Sequence, residues 1–110
     1  MLLARDHPEE SLEWCRKAAA LRPQETRYGY TLGFFLNQQG KVDEAIRVLE
    51  ETTRQPSPSA DAFALLGEIY LRQGSRAEAA AVYRRAAADG RLPAADRAEF
   101  ALRVRRLLGP

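Results

Sequence analysis

The sequence predicts an all-α fold, built as a short solenoid of antiparallel helix pairs. Two observations carry this prediction: identities that recur with a period of about 34 residues, and a composition with 45% hydrophobic residues but only 8% aromatic ones. An alanine-rich chain with 29% charged residues suits thin helices that pack closely around a core. At 110 residues the chain fits one small domain.

Two copies of one unit occupy the middle and C-terminal parts of the chain. Their identities all share one spacing and one register, without a gap. The matched pairs are Leu32 and Leu66, Gly33 and Gly67, Gln39 and Gln73, Gly40 and Gly74, Glu44 and Glu78, Ala45 and Ala79, and Val48 and Val82. A third, partial copy lies upstream, where residues 15–20 match residues 83–88 at twice the spacing. Such a period is typical of stacked helical repeats.

Each repeat is predicted to hold two helices, A and B. In the second copy, helix A runs from about Ala60 to Gln73 and helix B from about Arg76 to Ala88. Gly67 and Ala79 are small, which allows the two backbones to approach closely. At helical spacing we expect a shared core formed by Leu66, Ile69, Tyr70, Val82 and Tyr83.

The flanking segments extend the array on both sides. Residues 8–21 are predicted as a helix B, and a last helix is predicted from about Pro93 to Leu108. The division is then a partial repeat in 1–23, repeats in 24–58 and 59–92, and a capping helix in 93–110, with about six to seven helices in total. The last helix carries an apolar stripe that should close the stack, consisting of Phe100, Val104, Leu107 and Leu108.

The repeat resembles the tetratricopeptide repeat, whose pattern is Trp-x2-Leu-Gly-x2-Tyr, then Ala-x3-Phe, then Pro. The second copy fits it, with Phe for Trp and Tyr for Phe, at Phe63, Leu66, Gly67, Tyr70, Ala79 and Tyr83. The first copy departs from the pattern because Gly29 holds the Trp position. Tyr28 and Tyr30 flank Gly29 and are the candidates to fill the gap.

The resemblance implies that the A helices line a concave groove that binds a protein or peptide. By register, the first full repeat offers Arg27, Tyr30, Thr31, Phe34, Asn37 and Gln38. The second offers Asp61, Ala64, Leu65, Glu68, Leu71 and Arg72, and the closing helix adds Glu99, Leu102, Arg105 and Arg106. One branch of the family grips a chaperone's terminal carboxylate with Lys and Asn where Tyr30 and Phe34 stand here. We therefore expect an apolar, aromatic groove without that clamp.

Protein–protein recognition is the predicted function, as an adaptor or assembly module of a larger bacterial protein. Self-association into a homo-oligomer without a separate ligand remains an alternative, and a homodimer through the N-terminal edge is one form of it. An accessory domain of an enzyme whose catalytic part lies outside these residues is another. A further alternative concerns the groove itself: Tyr30 and Phe34 could pack against the missing N-terminal helix or against a second copy of the chain instead of binding a ligand.

Catalysis and cofactor binding are not indicated. His7 is the only histidine and lies in a polar junction before a helix, a place typical of capping or loop residues. Cys15 occupies the position of Leu49 and Tyr83, which favours a buried thiol over a nucleophile. No Cys or His spacing typical of a metal or haem site occurs, so no cofactor is expected. Trp14 is expected to pack inward.

Charge and hydropathy argue against nucleic-acid and membrane partners. The formal net charge is only +2, and the basic stretch 97–106 contains no aromatic residue besides Phe100, which favours a solvated helix face. No run approaches the roughly 18 apolar residues that a membrane span needs. The compartment stays open: the cytoplasm is favoured, and the periplasm remains an alternative if the chain derives from a longer exported protein.

Overall fold

The structure, a computed structural model, describes residues 8–109, with side chains from Leu12 onward. This part of the chain holds six helices and no strand. They are α1 (Pro8–Leu21), α2 (Thr26–Gln38), α3 (Val42–Thr53), α4 (Ala60–Arg72), α5 (Arg76–Ala88) and α6 (Ala94–Leu108). The all-α prediction is confirmed. His7, which the sequence offered as a capping or loop residue, lies outside the described residues.

Each helix packs against the next one along the chain, and α2 also contacts α4 directly. The connections are short, so neighbouring helices run antiparallel. Gly40 and Gly74 follow α2 and α4 with positive φ angles of 80° and 79°. Glycine adopts this left-handed conformation without a steric cost, and it ends both helices sharply. The stack is elongated, 45 × 28 × 21 Å.

One continuous apolar cluster runs through all six helices, from Leu12 and Cys15 on α1 to Phe100 on α6. The residues predicted for the core of the second repeat belong to it. Leu66, Ile69, Val82 and Tyr83 are each at most 2% exposed, and Tyr70 is half-buried against them. The predicted core is therefore confirmed. Burial raises the pKa of the Cys15 thiol, which agrees with its predicted core position.

Glycine allows close helix approach at two equivalent places. A Cβ atom at Gly67 would meet the Tyr83 ring, 2.7 Å from its hydroxyl oxygen, and one at Gly33 would lie 2.6 Å from Leu49 Cγ. Real Cβ atoms essentially never make contacts shorter than 3.0 Å. Both helix pairs, α4 with α5 and α2 with α3, therefore need glycine at their crossing, as the sequence predicted for Gly67.

A polar network joins α3, α4 and α5. The Glu50 carboxylate accepts hydrogen bonds from the Tyr70 hydroxyl and the Arg85 guanidinium, both at 2.8 Å. Burial and the Glu50 carboxylate together raise the pKa of Tyr70 to about 12. The Arg85 guanidinium also lies 5.8 Å from the centroid of the Phe63 ring. The network thus ties the first full repeat to the second.

Two predictions about packing at the ends of the stack are wrong. Trp14 is 58% exposed and forms a T-shaped pair with the Tyr28 ring, with 6.2 Å between centroids. Its register counterpart Val82 is buried, whereas Trp14 lies on α1, which has no described helix stacked on its N-terminal side. Leu108 is 52% exposed near the C-terminal end of α6, although the rest of the predicted stripe packs against the core.

Candidate protein-binding groove

The α2 aromatic cluster consists of Tyr30, Phe34 and Phe35. Tyr30 and Phe34 lie one helical turn apart, and their rings stack with 6.4 Å between centroids and 19° between planes. Phe35 meets Phe34 edge-on at 5.8 Å. All three residues are half-buried, so each ring presents part of its surface to solvent. The register argument missed Phe35, whose adjacency to Phe34 was the available signal.

The polar residues predicted on α2 lie outside the aromatic cluster, and two of them interact with neighbours close in sequence. Arg27 forms an ion pair with Glu25 at 3.5 Å, and its guanidinium lies 5.1 Å from the Tyr28 ring centroid. The Thr31 hydroxyl donates a hydrogen bond of 2.8 Å to the Arg27 carbonyl, so it is already satisfied within the helix. Two further predicted residues lie at the C-terminal end of α2, a half-buried Asn37 and an exposed Gln38.

On α4 the predicted residues separate into exposed charges and packed apolar side chains. The exposed members are Asp61, Glu68 and Arg72. The half-buried members, which pack against the core, are Ala64, Leu65 and Leu71. Because α2 contacts α4, these side chains lie on the helix next to the α2 aromatic cluster.

Leu71 and Arg106 line one cavity of about 250 Å³ between α4, α5 and α6, together with Tyr83, Arg103 and Leu107. Arg105 is exposed, as are Glu99 and Leu102. The structure brings three pairs of the predicted residues together: Tyr30 stacks on Phe34, Thr31 bonds to the Arg27 carbonyl, and Leu71 and Arg106 line one cavity.

A second cavity, of about 350 Å³, lies beside Gly29 and is called the Gly29 cavity below. It is a half-open pocket lined by residues of α1, α2 and α3 and of the turns after α1 and α3. Neither Tyr28 nor Tyr30 lines it, so the prediction that one of them fills the gap is wrong. Adjacent residues lie about 100° apart around a helix, and the two rings pack against Trp14 and Phe34 instead.

A sequence model of the tetratricopeptide repeat matches residues 37–96, more than half of the chain. The chain belongs to the tetratricopeptide repeat family. Tetratricopeptide repeats generally mediate protein–protein interaction and scaffolding, and they are typically non-catalytic. A comparison with curated proteins finds no match.

In residues 8–109 no cluster of His, Cys, Asp and Glu suited to holding a metal ion is found. No helix of that part is long and apolar enough to cross a membrane. The candidate groove instead offers aromatic, aliphatic and mixed-charge side chains, which suit contact with another polypeptide.

Proposed function

We propose that this tetratricopeptide repeat chain is an adaptor or assembly module that binds a peptide or helix of a partner protein along the A helices. The α2 aromatic cluster is the observation that carries the proposal. Its rings contact one another on one helix, Tyr30 stacked on Phe34 and Phe35 edge-on to Phe34, and all three are partly exposed. Aromatic residues of this kind contribute much of the binding energy of protein interfaces.

The spacing of the cluster suggests what the partner presents. Tyr30 and Phe34 form an apolar strip one helical turn long, which matches the apolar face of an amphipathic helix or an extended apolar segment. The proposed surface continues with Leu65 and Leu71 as apolar contacts. Its charged and polar rim consists of Arg27, Thr31, Asn37, Gln38, Asp61, Glu68, Arg72, Arg105 and Arg106. Because both signs of charge occur on this rim, it supplies orientation more than overall attraction.

The test is the double variant Tyr30→Ala with Phe34→Ala. We expect partners captured from a native lysate to be lost or reduced at least about 30-fold, since a hot-spot residue contributes roughly 2 kcal/mol or more. The matched control is Leu21→Ala, which removes an 81% exposed leucine at the end of α1. Unchanged capture by a double variant whose circular dichroism shows an intact fold would refute the groove.

A second candidate function, self-association, is favoured by one observation. Trp14 is 58% exposed on α1 and forms an aromatic pair with Tyr28 at the N-terminal edge of the stack. If a second copy covers this edge, sedimentation equilibrium will show a dimer, and Trp14→Ala will shift it toward monomer. A monomer at high protein concentration would rule out this candidate.

A further inference from the structure

The Gly29 cavity has an internal counterpart one repeat further along the chain. Its apolar walls are formed by Ala19, Pro23, Leu32 and Val48, and the Thr52 side chain borders it directly beside Gly29. The register counterpart of Gly29 is Phe63, whose side chain is 1% exposed. The second repeat therefore shows what kind of group this place in the fold accommodates, namely an aromatic ring.

Two charged residues near Phe63 have register counterparts in the lining of the Gly29 cavity. The Arg85 guanidinium lies 5.8 Å from the Phe63 ring centroid and pairs with Glu50 at 2.8 Å. One repeat earlier in the same register, Glu51 takes the place of Arg85 and Arg16 takes the place of Glu50. Both of them line the cavity. The signs are exchanged, but a cation and a carboxylate flank the space in each repeat.

The chain itself cannot place a ring at position 29 without a second change. A Cβ atom at Gly29 would collide with the Thr52 hydroxyl and lie 3.1 Å from Thr52 Cβ and Cγ2. The counterpart of Thr52 is Ala86, so the second repeat pairs a large residue with a small one, whereas the first pairs glycine with threonine. The side chains of glycine and threonine have a smaller combined volume than those of phenylalanine and alanine. This difference in volume leaves the cavity open in the first repeat.

We propose that the Gly29 cavity binds an aromatic side chain of a partner polypeptide, inserted where the second repeat uses its own Phe63. The half-open space of about 350 Å³ is large enough to admit a phenyl ring from the solvent side. The Thr52 hydroxyl donates to the Val48 carbonyl at 2.8 Å, so that wall leaves no unpaired donor.

Arg16 supplies the electrostatic part of the recognition. Its guanidinium is held by Glu44 at 2.7 Å and is 39% exposed, which leaves it accessible to the face of an inserted ring. This site is separate from the α2 aromatic cluster, because neither Tyr30 nor Phe34 lines the cavity. Loss of binding at one site in a variant therefore need not affect binding at the other.

The test is a titration of ¹⁵N-labelled protein with the peptide acetyl-Ala-Ala-Phe-Ala-Ala-amide, followed by amide chemical shifts. We expect saturable shifts at Gly29 and Thr52, and at least fivefold weaker binding of the matched peptide with Leu in place of Phe. The double variant Gly29→Phe with Thr52→Ala copies the second repeat, fills the cavity from within, and should weaken binding at least tenfold. Thr52→Ala alone enlarges the cavity and should retain binding.

A second blocking variant keeps the test decisive if the double variant does not fold. Ala20 is exposed on α1 at the edge of the cavity, so Ala20→Trp can cover the opening without disturbing the core, and it should also weaken binding tenfold. Binding that persists in the blocking variants, or no shift at Gly29 and Thr52 in the wild type, would overturn the proposal. Shifts at these amides on simple concentration, without peptide, would assign the cavity to a second copy and overturn it as well.

Discussion

Replacing Gly67 with alanine tests the packing of the stack most sharply. The new methyl group would press on the ring of Tyr83, which is 2% exposed. That ring also stacks on Phe100 at 5.8 Å and lies 5.4 Å from the Arg103 guanidinium. Tyr83 also borders the cavity of about 250 Å³ between α4, α5 and α6, but a shift of the ring would disturb its stacking on Phe100, so either the ring or the two helices must give way.

The expected loss of stability follows from two opposing effects. Overpacking a close-packed core costs typically about 1–3 kcal/mol, whereas replacing glycine by alanine inside a helix contributes up to about 1 kcal/mol of stability. Because the Tyr83 ring cannot shift without disturbing its stacking on Phe100, we expect a cost near the upper end and a net loss of roughly 2 kcal/mol. For a domain of this size that lowers Tm by roughly 10 °C.

Thermal and urea unfolding followed by far-ultraviolet circular dichroism will measure this loss. The matched control is Gly90→Ala, because no atom lies within 4 Å of the Cβ atom added there. We expect its stability to stay within about 0.5 kcal/mol of the wild type. A Gly67→Ala protein as stable as the wild type, or more stable, would refute the inference that α4 and α5 need glycine at their crossing.

Three further predictions concern buried and half-buried polar groups. The folded protein raises the pKa of Tyr70 from 10.0 to about 12. Tyr70 therefore contributes its full share to the free energy of unfolding below pH 10, and this contribution is lost as pH rises toward 12. Between pH 9 and pH 11.5, urea unfolding should show a decrease in the free energy of unfolding that is roughly 1 kcal/mol smaller in Tyr70→Phe than in the wild type, a figure reduced for solvent screening. Glu50→Ala should destabilise by roughly 1–2 kcal/mol in urea unfolding, since it removes the carboxylate to which Tyr70 and Arg85 donate. Glu44→Ala, which removes a more exposed ion pair with Arg16, should cost less than about 1 kcal/mol. The Cys15 thiol should react with a thiol reagent at least a hundredfold more slowly in the folded protein than in urea, and equal rates would contradict its burial.

Features that repeat at a fixed spacing were predictable from the sequence. Gly67 and Ala79 recur with their counterparts one repeat earlier, and a helix crossing explains why they are small. The bounds of α4, α5 and the two flanking helices follow from the same register. Cys15 was assigned to the core because its counterparts Leu49 and Tyr83 are apolar, and the structure confirms its burial.

Features that depend on a neighbour in space were not predictable. The exposure of Trp14 depends on whether another helix covers α1, and the pattern within one repeat does not contain that information. Glu50 on α3 and Arg85 on α5 are 35 residues apart in the sequence, and only the three-dimensional structure shows that they pair. Gly29 was recognised as a departure, but its collision with Thr52 and the cavity beside it require coordinates.

The binding role of the groove residues remains a prediction, and the structure shows how the side chain of each one is placed. Tyr30 and Phe34 are stacked and partly exposed, Leu65 and Leu71 pack against the core, and Thr31 uses its hydroxyl within the helix. We therefore expect the α2 aromatic cluster to contribute most of the binding energy and the surrounding residues to contribute mainly specificity.

Site-specific photo-crosslinking at Phe34 tests the binding role most directly. Phe34 is replaced by photoreactive benzoylphenylalanine, and the same replacement at Arg47, exposed on α3, is the control. Irradiation in a native lysate should give a discrete cross-linked protein species from position 34 that is absent from position 47 and is lost when Tyr30 is replaced by alanine. No species from position 34, or the same species from both positions, would contradict the proposed groove.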